Sequence, residues 1–573
     1  MPSRRPASAR AQPAAATPAV ARSDEFTPKL LTVLREGYGI TDLRADAIAG
    51  LTVAIVALPL SMAIAIASGV GPERGLFTTI IGGFLVSLLG GSRFQVGGPA
   101  GAFIVLIAAC VAANGVEGLL LATFLSGLML LALGAFRMGS YIKFIPFPVT
   151  VGFTAGIGTI IFASQIKDLF GLTLTAAEPS ALIAKLPALW QAHATAQPPA
   201  IAIGFGAIVV IAGLRKLRPH WPGMLIAVVL ASVVVGVLHL PVQTIYTKFG
   251  ELPRVPPVPS FPTFTLSAVW AALPYAVSFT LLGAIESLLS AVVADGMSGS
   301  RHRSNMELVA QGVANLGSAL FGGICTTGTI ARTATNVRAG SHGPVSGMLH
   351  AVIVLVFMLI AAPLAGYIPL AALAGVLAIV AWNMVEKSEI AALLRTSSGD
   401  ALVLLTTYLL VVFRDLTSGI VVGFAIGGVL FIKRMSEQAQ ITGGVPFAQD
   451  DRPDDAGRYT PVGRDDPVVV YRIRGAFFFG AASTVASVLE ATADRPRAFV
   501  VDFTEVPFLD STAAHAMEML ARKLHRQGGR LYLTGTSPPV RRMLEAQGVS
   551  GRDVTYSATI AAATRLAHAA LAG

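Results

Sequence analysis

Charge is what this chain has least of. Only 13% of its 573 residues are Asp, Glu, Lys or Arg, while 54% are hydrophobic and the mean hydropathy is +0.69. Soluble domains carry about 25% charged residues, so a single water-soluble core is excluded and a multi-span membrane protein is expected. Cysteine is almost absent. Cys110 and Cys325 both lie within apolar segments, and no CxxC or Cys/His cluster accompanies them. That excludes a disulfide framework and a zinc-type site, so neither metal nor cofactor is expected. Histidines are few and scattered, and His302, between Arg301 and Arg303, is expected in a solvated cytoplasmic loop. Acidic residues are missing from the first 22 positions, where Arg4, Arg5, Arg10 and Arg22 stand without a counter-charge. This places the N-terminus in the cytoplasm by the positive-inside rule, within an Ala/Pro-rich arm over residues 1–44. The net charge of +10 therefore calls for no nucleic-acid partner. No apolar run follows Met1 closely enough for a cleaved signal peptide.

What the chain has in plenty is uncharged stretches. Residues 45–435 read as a membrane domain of about fourteen apolar segments, several of them short or interrupted. An even number of crossings returns the chain to the cytoplasmic side, where Lys433 and Arg434 close the last segment. Residues 436–466 form a polar linker around Asp450, Asp451, Asp454 and Asp455. From Pro467 to Gly573 the pattern is that of a small α/β domain. Strands are expected at Val468–Arg474, Phe477–Phe479, Ala498–Phe503 and Arg530–Leu533, with helices at 481–492, 511–526 and 538–547. In Asp510-Ser511-Thr512 the polar residues open a helix directly after a strand, which reads first as a cap, with phosphorylation of Ser511 or docking of a cytoplasmic partner as the other possibility.

The membrane domain carries an internal echo. Leu88-Leu89-Gly90-Gly91 precedes a short segment opening Gly97-Gly98-Pro99-Ala100-Gly101, and Leu320-Phe321-Gly322-Gly323 precedes one opening Gly328-Thr329. The two copies stand 232 residues apart. Paired Gly/Pro-interrupted segments in matching halves point to a transporter binding site, and seven crossings per half make the two repeats inverted.

A helix that begins inside the membrane presents unpaired N–H groups and a positive dipole end, so two such starts facing one another can hold an anion. Gly98, Pro99, Ala100 and Gly101 supply one start. Gly328, Thr329, Ile330, Ala331 and Arg332 supply the other, with Thr329 as N-cap and Arg332 adding a forked positive charge. Leu273–Ala294 is long enough to span a bilayer and holds one ionisable group, Glu286. A carboxyl in a low-dielectric site can be held neutral, which makes Glu286 a candidate proton carrier, with Ser290 one turn on along the same face. Two other readings of Glu286 stand beside it: a ligand of sodium together with Ser290, or a permanent ion pair with Arg332. In the first span, Pro59 marks a kink, and Ser61 or Met62 after it can line the site, although core packing is the commoner role for a methionine.

From Leu43 onward the sequence resembles the SulP (sulfate permease) family, whose animal members include prestin. The resemblance rests on the run Ile285–Asp295, on Asn305–Gly312, on Ala331–Gly340, on Gln95-Val96-Gly97-Gly98-Pro99 and on Phe508-Leu509-Asp510-Ser511. It implies fourteen segments in two inverted seven-segment repeats, divided into core and gate, with the anion between the third and tenth segments. It further implies a cytoplasmic STAS domain, a homodimer in the cell's inner membrane with both termini cytoplasmic, and elevator-like movement of the site. Glu286 matches the acidic residue of the eighth segment, where sodium-coupled bicarbonate members carry Asp followed four residues later by a hydroxyl. The longer Glu here is closer to proton-coupled relatives, and Arg332 is absent from the bicarbonate type. The expectation is a proton-coupled oxyanion transporter, not an enzyme. Sulfate heads the list of substrates, a C4-dicarboxylate comes next and bicarbonate third, with an anion channel as the rival reading.

Overall fold

The computed structural model describes residues 25–141, 145–176, 178–179, 181–218, 221–437, 440–442, 468–479, 498–551 and 554–572. Arg4, Arg5, Arg10 and Arg22 of the N-terminal arm, most of the linker and the helix expected at 481–492 lie outside the described residues. The chain divides into two compact units after Phe424.

The first unit is helical, and among the described residues of the whole chain eight helices are long and apolar enough to cross a membrane. Helix α1 (Lys29–Gly37) is short and polar, and α2 (Ile40–Ala67) begins the first span five positions before residue 45. The next crossing is broken into α3 (Pro72–Phe77), a π-turn at Thr78–Gly82 and α4 (Gly83–Leu89), and it leads to the two-residue strand β1 (Gly97–Gly98). A 3₁₀ turn at Gly101–Phe103 opens α5 (Ile104–Ala135). Gly115, at φ 65°, kinks α5. Then follow α6 (Phe147–Phe170), α7 (Leu182–Gln191), α8 (Pro198–Leu217), α9 (Gly223–Leu238) and the single turn α10 (Ile245–Phe249).

The same order of elements then recurs. A long helix, α11 (Leu266–Ser298), is followed by α12 (Ser304–Leu320), strand β2 (Thr327–Gly328) and the nine-residue α13 (Ile330–Arg338). Helices α14 (Val345–Ala365), α15 (Leu370–Met384), α16 (Lys387–Thr396), α17 (Ser398–Phe413) and α18 (Leu416–Glu437) complete the series. Two packing groups result. Helix α5 lies against α11 and α12, and α14 against α2 and α4, whereas α6 lies against α15 and α17, and α8 against α9 and α15. Apolar burial gives little drive between helices in lipid, so close backbone approach decides such contacts. Where α5 crosses α12, a Cβ on Gly312 would stand 2.8 Å from the Gly127 carbonyl oxygen, and one on Gly127 would stand 2.9 Å from that of Gly312.

Among the described residues, the second unit is built on a sheet of five strands, β3 (Gln440–Thr442), β4 (Val468–Arg474), β5 (Ala498–Glu505), β6 (Arg530–Thr534) and β7 (Val554–Ser557), hydrogen-bonded in that order. β3 joins antiparallel and the rest are parallel. Helices α19 (Ser511–Arg526), α20 (Pro538–Ala546) and α21 (Ile560–Ala572) accompany it. Phe477 makes only an isolated bridge to Leu509, so the strand expected at Phe477–Phe479 is reduced to one pairing. Asp510 caps α19, its Oδ1 accepting from Ala513 N–H at 2.9 Å, and Ser511 is the exposed first helical residue.

Candidate functional site

The two Gly-marked breaks meet. Strand β1 pairs antiparallel with β2, Gly97 opposite Gly328 and Gly98 opposite Thr327. Two short strands deep in a helical unit satisfy each other's backbone groups where no helix can, which is how irregular backbone survives at membrane depth. Thr329 continues the pairing, its N–H donating to the Val96 carbonyl at 3.1 Å. Thr329 occupies the expected N-cap position of α13, but its hydroxyl turns to that same carbonyl at 3.4 Å and does not cap the helix. The N–H groups of α13's first turn, at Ile330, Ala331 and Arg332, are those a helix leaves without an internal partner. The side chains of Ile330 and Ala331 are exposed, whereas Arg332 is 2% exposed.

The Arg332 guanidinium lies across β1. Its Nη2 donates to Ser61 Oγ at 3.0 Å and to the Pro99 carbonyl at 3.3 Å, and its Nη1 reaches the Gly97 carbonyl at 3.5 Å. Nε is buried with no partner. Ser61 also shares a hydrogen bond with Thr79 Oγ1 at 2.7 Å, so three elements converge on it. Met62 packs in the hydrophobic core. Ala100 is buried, while Gly101 faces Ile161 of α6 and Met384 of α15, members of the other packing group.

Glu286 and Arg332 do not form an ion pair, and among the described residues neither takes part in one. Glu286 is partly exposed, and its Oε2 is buried without a partner. Ser290 donates to Thr333 Oγ1 at 3.1 Å, the atom that also accepts from Val96 N–H at 3.2 Å. One turn before Glu286, the Gly283 carbonyl accepts from Thr327 Oγ1 at 3.2 Å. The stretch of α11 that carries Glu286 is thereby tied to β2 and α13 on both sides.

His302 departs from expectation. Its side chain is 4% exposed, with Nδ1 2.7 Å from Asp295 Oδ2 and Nε2 3.0 Å from Ser304 Oγ. Arg303 Nη1 donates to the Thr27 carbonyl at 2.9 Å and to Thr32 Oγ1 at 2.8 Å. Arg303 is thus packed against the segment preceding and forming α1 and His302 is covered, while Gly299 and Arg301 of the same loop are exposed as expected. Sequence reasoning also assigned no role to the polar residues behind the strands. Asn315 accepts from Thr326 N–H at 3.0 Å and donates to its carbonyl at 2.8 Å, and Asn336 donates to the Phe94 carbonyl at 2.9 Å. A stripe was there to be read: Glu307, Gln311 and Asn315 recur every fourth residue along α12.

Comparison with known proteins agrees with this architecture. Residues 43–407 match the Sulfate permease family and residues 459–563 match the STAS domain. YvdB of Bacillus subtilis, named as a sulfate transporter, is 40% identical over 517 residues, covering 90% of this chain and 95% of its own length. The bicarbonate transporter BicA of Picosynechococcus is 31% identical, covering 88% and 90%. The transmembrane domain of a cyanobacterial BicA superposes with a TM-score of 0.61 at 31% identity, over 67% of this chain and 98% of that one. SLC26A9 shares the fold, with a TM-score of 0.81 at 18% identity over 96% and 93%. A helical membrane protein with paired broken helices, a buried arginine between them and a C-terminal STAS domain is thus a member of the sulfate permease family of anion transporters, and not an enzyme.

Proposed function

We propose that the protein is a secondary active transporter of an oxyanion, sulfate first, driven by protons and working by elevator-like movement. The observation that carries this reading is Arg332, a buried guanidinium whose Nε has no partner, set between the starts of two broken helices. A permanent charge in a low-dielectric setting, with a donor unused, is chemistry suited to an oxyanion. Gly98, Pro99, Ala100 and Gly101 on one side and Gly328, Thr329, Ile330 and Ala331 on the other supply backbone groups around it. Glu286 is the proton carrier in this reading, because its free Oε2 leaves an oxygen available to a proton while no cation partner competes. The same reading has the half-helix group of α2–α5 and α11–α14 carry the site past the α6–α9 and α15–α17 group. It also has the protein act as a homodimer in the inner membrane with both termini cytoplasmic, the STAS domain serving a cytoplasmic partner.

Bicarbonate is the second reading, favoured by the similarity to BicA. Uptake into proteoliposomes separates the two. Labelled sulfate is expected to accumulate under an inward proton gradient and to be competed by fumarate or succinate more than by bicarbonate. Uptake that follows a sodium gradient and ignores pH would overturn proton coupling, and currents far above transporter turnover would favour a channel.

A further inference from the structure

Behind the strand pair lies a second carboxyl, Glu307 of α12, which is 0% exposed. It accepts four hydrogen bonds. Oε2 takes the N–H groups of Gly91 at 2.9 Å and Ser92 at 3.1 Å, and Oε1 takes Nε2 of Gln95 at 2.9 Å and of Gln311 at 2.9 Å. Three of these donors belong to residues 91–95, the loop that feeds β1. The loop is pressed on the start of α12: a Cβ on Gly91 would stand 2.1 Å from the Arg303 carbonyl oxygen, and Arg303 N–H donates to the Gly91 carbonyl at 2.9 Å.

Gln95 passes this anchorage to the other strand. Its Nε2, held by Glu307, stands 1.7 Å from where a Cβ on Gly328 would be, so the amide is wedged beneath β2. The next residue, Val96, donates to Thr333 and accepts from Thr329. Beyond it come Gly97, Gly98 and Pro99, whose backbone receives Arg332. A shift of the 91–95 loop therefore moves both strands relative to the guanidinium. Gln95 Oε1 and Gln311 Oε1 are buried without partners, so both amides have turned their NH₂ groups toward the one carboxyl and left their oxygens idle.

We propose that Glu307 is a positioning residue of the anion site: through Gln95 it sets where β1 and β2 stand relative to Arg332. This rests on the anion-binding reading above. A purely structural Glu307 would stabilise α12 and the loop without regard to which of its partners is lost. A positioning Glu307 acts through Gln95, which touches β2, and not through Gln311, which lies on its own helix four residues away.

The test compares Glu307→Gln, Gln95→Met and Gln311→Met in the full-length protein. For each, the melting temperature without anion and its rise with sulfate, fumarate, succinate or bicarbonate are measured. Glu307→Gln and Gln95→Met are expected to weaken binding of the preferred anion about tenfold, the scale of one charge-assisted hydrogen bond. Gln311→Met is expected to lower the anion-free melting temperature comparably while leaving affinity unchanged. Equal loss of affinity in the two glutamine variants, or loss in neither, overturns the proposal. If Glu307→Gln is not recovered folded, the glutamine pair decides alone. A wild-type protein stabilised by none of the four anions would instead overturn the anion reading and this inference with it.

Discussion

A Cβ at position 98 would stand 2.0 Å from Arg332 Nη1, so the guanidinium lies against the bare backbone of Gly98. Gly98 has φ +154°, a conformation that side chains rarely adopt. The strand conformation and the arginine's position therefore require the same residue. Gly98→Ala is expected to displace the guanidinium and reduce anion affinity about tenfold, roughly 1.4 kcal/mol, without loss of expression. Arg332→Ala should do the same. Arg332→Lys should also weaken binding, because one ammonium cannot reproduce a fork that holds Ser61 and Pro99 while Nε stays free. Thermal-shift titration with sulfate measures all three, and unchanged affinity would remove Arg332 from the site.

Glu286→Gln keeps the shape of the side chain and removes its proton chemistry. Proton-driven uptake is expected to be lost while anion exchange persists. Counterflow in proteoliposomes reads the exchange and an imposed pH gradient reads the coupling. Loss of both together would assign Glu286 to the fold or to the anion instead.

Gly312→Leu tests the crossing of α5 and α12. Its side chain would meet the Gly127 carbonyl and the backbone nitrogen of Leu131, 2.7 Å from the Cβ position. Overpacking of this kind costs about 1–3 kcal/mol, so a clear drop in melting temperature is expected. Gly206→Leu serves as the control, since nothing stands within 4 Å of a Cβ there.

In the second unit, Asp502 carries a pH signature. Burial raises its pKa, but hydrogen bonds from Thr504, Arg472 and Thr534 outweigh this and hold it below the ordinary value of 3.8. A depressed pKa stabilises the fold above the unfolded value, and that contribution is lost as pH falls through the folded one. Amide protection along β5 in the full-length protein, corrected for the intrinsic exchange rate at each pH, should therefore fall from just under about pH 4 downward. Asp502→Asn should raise exchange at neutral pH and flatten the acid response.

Much of this was legible beforehand. Gly97-Gly98-Pro99 and Gly328-Thr329 announced two broken segments because glycine and proline act on their own backbone, whatever surrounds them. Helix α11, with Glu286 alone in an apolar run, was equally plain. The partner of Ser290 was not. Helical spacing put it on the face of Glu286, yet Thr333, forty-three positions away in sequence, captured its hydroxyl. His302 itself was misjudged for the same reason: charged neighbours in sequence indicated solvent, and Arg301 is exposed, but Asp295 and Ser304 hold the His302 ring inward.

Residence in the membrane, the recurrence of two Gly-broken segments and a small α/β unit after the last span were determined by the sequence itself, since they depend on composition and local backbone preference. The contacts that gather the residues of the proposed site were decided only by the tertiary structure. Arg332 meets Ser61 from 271 positions away, and Glu307 meets Gln95 from 212. Hydrogen bonds across such separations depend on how helices pack and on which buried donors would otherwise go unpaired, and no local pattern encodes that.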